Sequence, residues 1–106
     1  MTMISDYQHS ILYKFGQELS KKAWELFWNG DQNGADAYHD MASNIAVVEY
    51  GFELGVIRGY LVDRSKANEM DSAYYLDILK RFDKELNVKT IGSLLWNYIH
   101  SMGEDL

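Results

Sequence analysis

No proline interrupts the 106 residues of the chain. Proline breaks helix interiors, so its absence leaves long helices open along the whole sequence. Apolar spacing then shows how such helices are used. From Ser5 to Trp28, the residues Leu12, Phe15, Leu19, Ala23, Leu26 and Phe27 recur at helical intervals, with Lys14, Glu18, Lys21, Lys22 and Glu25 opposite. Ser5 or Asp6 can cap this helix, because a short side-chain oxygen accepts an orphan backbone N–H. Residues 29–34, Asn-Gly-Asp-Gln-Asn-Gly, read as a loop, since Asn and Gly tolerate left-handed backbone.

Residues 35–62 predict a second, long helix with two apolar faces. Ile45, Val48 and Phe52 line one face together with Gly51, Gly55 and Gly59; Val47, Tyr50, Leu54, Ile57 and Leu61 line the other. Only a narrow strip bearing Glu49 and Glu53 is polar, and a helix apolar on two sides belongs at the centre of a domain. Asp71 is a cap for a third helix over 72–86, with a stripe of Tyr75, Ile78, Leu79, Phe82 and Leu86. Thr90 is a cap for a fourth over 91–102. The expected fold class is all-α: one compact four-helix domain, residues 1–106, around the long helix at 35–62.

The three glycines are four residues apart. Each costs about 0.8–1.0 kcal/mol relative to alanine inside a helix, so something should offset them. Close approach of another helix would do so, with Gly16 on the first helix as the opposite wall. A homodimer contact, or a break at one of the glycines, is the alternative.

There are no cysteines, which excludes disulfides and thiolate metal sites and fits a reducing cytoplasm. The N-terminus lacks the basic start and apolar run of a signal peptide. Glu49, Glu53 and Arg58 interrupt the most apolar stretch, so no membrane span is expected. The formal net charge is −6, and it is concentrated: from Lys22 to Arg58 there is no Lys or Arg between, only Glu25, Asp31, Asp36, Asp40, Glu49 and Glu53. The remainder carries ten acids and ten bases. This pattern argues against direct nucleic-acid binding, which needs clustered cations. It points instead to a protein partner with a basic surface, with the protein itself a monomer or homodimer.

Catalytic constellations are thin. Asp36, His39 and Asp40 share a helix face at metal-ligand spacing, but a di-metal bundle needs a second such set and acids also favour a helix's first turn. His9 and His100 have no arranged nucleophile beside them, and Gly30–Gly34 lacks the Lys-Ser/Thr of a phosphate cradle. No cofactor or metal is expected, and the chain reads as a non-enzyme. Trp24 and Trp28 fall on the edge of the first helix, where aromatic residues make favoured interface anchors.

Two resemblances follow from these residues. Glu49 with Glu53, and Asp36 with Asp40, are similar to the acidic pairs of all-helical nucleotide pyrophosphatases of the MazG type, though each pair is spaced one residue wider and no basic phosphate clamp accompanies them. That resemblance implies a small metal- or nucleotide-dependent helical enzyme. Residues 50–61, Tyr-Gly-Phe-Glu-Leu-Gly-Val-Ile-Arg-Gly-Tyr-Leu, resemble a G-F-x-L-G-x-x-x-G pattern of small helical proteins from phages and mobile elements. In its short, acidic, cysteine-free character the chain is similar to phage anti-CRISPR proteins. That likeness implies an inhibitor occupying a basic surface of a Cas nuclease such as Cas9. The candidate partner-binding residues are Trp24, Trp28, Asp31, Asp36, Asp40, Glu49 and Glu53. A structural homodimer without external ligand is the remaining alternative.

Overall fold

A computed structural model describes residues 3–86, which form α1 (Asp6–Trp28), α2 (Gln32–Ala46), α3 (Gly51–Lys66) and α4 (Ser72–Glu85). The all-α, four-helix architecture is the expected one. Its allocation along the chain is not, because residues 35–62 supply parts of two helices. The helix expected over 91–102 lies outside the described residues.

Ser5 caps α1 through a capping box: its hydroxyl accepts from the Gln8 amide at 3.3 Å, and the Gln8 side chain accepts from the Ser5 amide at 2.8 Å. The helix ends in a Schellman motif. Gly30 takes φ +81°, and the amides of Asp31 and Gly30 donate to the carbonyls of Leu26 and Phe27 at 2.8 and 3.0 Å. The Asp31 carboxylate then accepts from the Gly34 amide at 3.0 Å and caps α2. The stop of one helix and the start of the next thus share three residues, which folds α1 and α2 into a hairpin.

The break in the expected central helix falls at Val47–Tyr50. Here Tyr50 is extended at φ −122° and ψ 147° and bridges to Met3, and the Ile4 amide donates to the Glu49 carbonyl at 2.9 Å. The Glu53 carboxylate reaches back to the Glu49 amide at 2.9 Å and closes the start of α3. A continuous helix over 35–62 would run about 42 Å, too long to hold both apolar faces against one small core. The break resolves this by giving each segment one buried face. Ile45 and Val48 pack from the first segment, and Leu54, Ile57 and Leu61 from the second, while Val47 turns outward. The two-faced pattern was the superposition of two one-faced helices out of phase.

α3 and α4 form the second hairpin, and α2 lies against α4 to join the pairs. Asp71 precedes α4 but makes no capping bond, because Arg64 holds its carboxylate at 2.7 Å; Ser72 instead accepts from the Glu69 amide at 2.9 Å. The core is one cluster, with Leu19, Tyr38, Met41, Leu54, Leu61, Ile78 and Phe82 buried at its centre. The stripe expected on α4 is present, with Tyr75, Ile78 and Phe82 buried and Leu86 just beyond the helix buried as well. Among the described residues no helix is long and apolar enough to cross a membrane.

The three glycines of the stripe differ in their surroundings. Residues four apart advance by about 40° beyond a full turn, so three of them spread over about 80°. Gly51 is accordingly buried, Gly55 half-buried and Gly59 exposed, with no atom within 4 Å of a Cβ built on Gly59. Gly16 faces α2 rather than the α3 glycines: its Cβ would meet Ile45 Cγ2 at 3.6 Å and the Ala42 carbonyl oxygen at 3.9 Å, ordinary contact distances.

Candidate functional site

The acids of the base-free interval divide into those held by the fold and those facing solvent. Asp31, beyond its capping role, accepts a hydrogen bond from the Tyr74 hydroxyl of α4. That phenol, and then the Gly34 amide, hold the Asp31 carboxyl below its ordinary range. Asp40 accepts from the hydroxyls of Tyr60 and Tyr75, both at 3.0 Å on one oxygen, and from the Asn44 amide at 3.3 Å on the other. Glu53, in the first turn of α3, accepts from the Glu49 amide just before the helix. Asp36 and Glu49 are exposed; Asp36 accepts only a bond from Gln32, at 2.7 Å within its own helix.

A third phenol–carboxylate bond runs from Tyr38 to Asp77. The Asp31, Tyr38 and Asp40 bonds therefore stitch α2 and its cap to α4. Burial, reinforced by Asp77, raises the Tyr38 hydroxyl above the ordinary tyrosine range; burial, then Tyr60 and Asp40, does the same for Tyr75. The Asp31 bond raises Tyr74. These pairs join residues 35 to 43 apart in sequence, and no local signal announces them.

Two of the tyrosines also carry a guanidinium on the ring face. Arg64 lies 5.0 Å from the Tyr75 centroid while paired with Asp71, and Arg81 lies 5.8 Å from the Tyr38 centroid with Asp77 at 3.6 Å. Arg58 of α3 also grips Asp83 of α4 with two bonds of 2.8 and 3.0 Å.

Trp24 and Trp28 are brought together by α1 and joined by a residue expected in the core. Phe27 is 45% exposed; Leu26, its neighbour, takes the half-buried position facing the cluster. Phe27 meets Trp24 edge-to-face at 5.8 Å and Trp28 at 5.4 Å, and the two indoles are 56% and 78% exposed. The i, i+3, i+4 spacing of 24, 27 and 28 is the signal that groups them. The three large rings are in contact through Phe27 and all are exposed, forming an apolar patch on the surface of α1.

On the same side of α1 a groove of about 670 Å³ runs along the α1–α2 seam, lined by His9, Tyr13, Gln17, His39 and Ser43 over a floor that includes Gly16. Asp36, His39 and Asp40 do not converge: among the described residues no group of three or more His, Asp or Glu is placed to hold a metal ion. No protein-family model matches the chain, and no curated protein or solved structure is detectably similar to it.

Proposed function

We propose that this protein is a protein–protein interaction module whose docking surface centres on Trp24, Phe27 and Trp28 and whose partner presents a basic surface. The observation that carries the reading is the exposed ring cluster at the end of α1, set beside a stretch of chain with no Lys or Arg from residue 23 to 57. Aromatic side chains supply the apolar anchor of such interfaces. Asp36 and Glu49, the exposed acids, supply complementary charge, which speeds association and weakens with salt. Asp31, Asp40 and Glu53 act in this reading as framework, since each holds an intrachain partner. The most concrete form is an inhibitor of the anti-CRISPR type, acting in the cytoplasm by occupying a phosphate-binding groove of a Cas nuclease.

A photo-crosslinking amino acid in place of Trp28, with Leu76 on the exposed side of α4 as control, tests the surface. Adducts with a partner are expected at position 28 and not at 76, and they should diminish in high salt and in Asp36→Lys. Equal labelling from both positions refutes the docking surface. For the inhibitor form, DNA cleavage by a panel of Cas nucleases is measured with wild type and with W24A/W28A. Uninhibited cleavage throughout removes it.

A further inference from the structure

Twice inside this fold a guanidinium rests on an aromatic ring with an aspartate beside it: Arg64 on Tyr75 with Asp71, and Arg81 on Tyr38 with Asp77. A third set of rings stands on the surface with an acid beside it in the helix. Glu25 lies about one helical turn before Trp28 on α1, adjacent to it on the helix surface, and both side chains are exposed. Among the described residues, the cations stacked on rings are on Tyr38 and Tyr75 and not on these indoles. Lys21 and Lys22 are the last basic residues of α1, and its own last turn carries none.

We infer that the Trp24–Phe27–Trp28 face receives an arginine side chain from a basic segment of a protein partner. The guanidinium stacks on the Trp28 indole, and the Glu25 carboxylate accepts its N–H groups. Indole is the strongest aromatic acceptor for a cation. A planar guanidinium can lie flat on a ring and still direct its N–H fork at a carboxylate, which a lysine ammonium cannot do. Charge complementarity selects a cationic occupant, and the ring cluster selects arginine over lysine. The inference rests on the proposed function and names the chemistry of the partner at that same surface.

Hexa-arginine and hexa-lysine, equal in charge, serve as probes, with binding followed through the indole N–H signals of Trp24 and Trp28. Both signals should move, and hexa-arginine should bind about threefold or more tightly than hexa-lysine. Trp28→Ala and Glu25→Gln should each weaken hexa-arginine by roughly 2- to 5-fold while changing hexa-lysine less in the tryptophan variant. Both side chains are exposed, and unchanged thermal melting confirms that the variants fold. Equal affinities for the two peptides, or no effect of Trp28→Ala, overturn the arginine inference and leave the basic-partner reading standing. If neither peptide binds, both fall.

Discussion

Replacing Asp40 by alanine separates framework from interface at this acid. Asp40 accepts from two phenols at 3.0 Å, and the two differ in environment: Tyr75 is 4% exposed and Tyr60 is 40% exposed. In Asp40→Ala the Tyr60 hydroxyl regains water, so its lost bond counts for about 0.5 kcal/mol, while the orphaned Tyr75 hydroxyl costs about 1–2 kcal/mol. The sum is about 2 kcal/mol of destabilisation. With an unfolding entropy near 2.1 cal/mol/K per residue, a chain of 106 residues should lose about 9 °C in Tm. The second half of the prediction is the coupling. Tyr75→Phe alone should cost about 1 kcal/mol, because it removes a bond to a carboxylate. In the Asp40→Ala background it should instead regain about 1–2 kcal/mol, because it removes the orphan. Denaturant melts of the four proteins should measure an interaction energy of about 2–3 kcal/mol. Strict additivity, or an unchanged Tm in Asp40→Ala, would show that the phenols do not depend on this carboxylate in solution. The framework role would then be wrong and Asp40 would return to the partner-binding set.

The remaining predictions concern pH and the glycines. Tyr38, Tyr74 and Tyr75 have raised hydroxyls in the folded state, so the stability they contribute is fully present below the unfolded tyrosine pKa of about 10 and is lost as pH rises beyond it. Absorbance at the tyrosinate band should show a late-titrating fraction coincident with alkaline unfolding. Asp31 is depressed, so its contribution is present above the ordinary carboxyl pKa of about 3.9 and declines as pH falls through the lower folded value; Asp31→Asn should flatten that acid limb in melts run against pH. Gly34→Ala should destabilise by roughly 1–3 kcal/mol, since its Cβ would stand 2.8 Å from Tyr74 Cε1 and 2.9 Å from Leu26 Cδ1. Gly59→Ala, with open space around it, should stabilise by about 0.5–1 kcal/mol; a loss there would mean that the exposed glycine has a close partner after all.

Helical spacing alone carried much of the fold. Leu12, Phe15, Leu19 and Ala23 on α1, and Tyr75, Ile78 and Phe82 on α4, are buried where the period places them. The end of α1 was legible because Asn-Gly chemistry is local. Trp24 and Trp28 were legible as surface aromatics for the same reason: their angle around α1 follows from their spacing.

Tertiary structure decided the rest. The break at Val47–Tyr50 needs Ile4 and Met3 to pair with Glu49 and Tyr50, a contact between chain positions far apart, and no window of 18 residues contains it. Phe27 lies at the edge of the buried face of α1 and is 45% exposed, while Leu26 is the half-buried residue packed against the core. The acids show the difference most clearly. Asp31, Asp36, Asp40, Glu49 and Glu53 are equivalent as charges along the chain, but only the fold brings Tyr74 to Asp31 and Tyr60 and Tyr75 to Asp40. Local periodicity specifies which way a side chain points from its helix. Which distant group it meets depends on how the helices are docked, and that is a property of the packed whole.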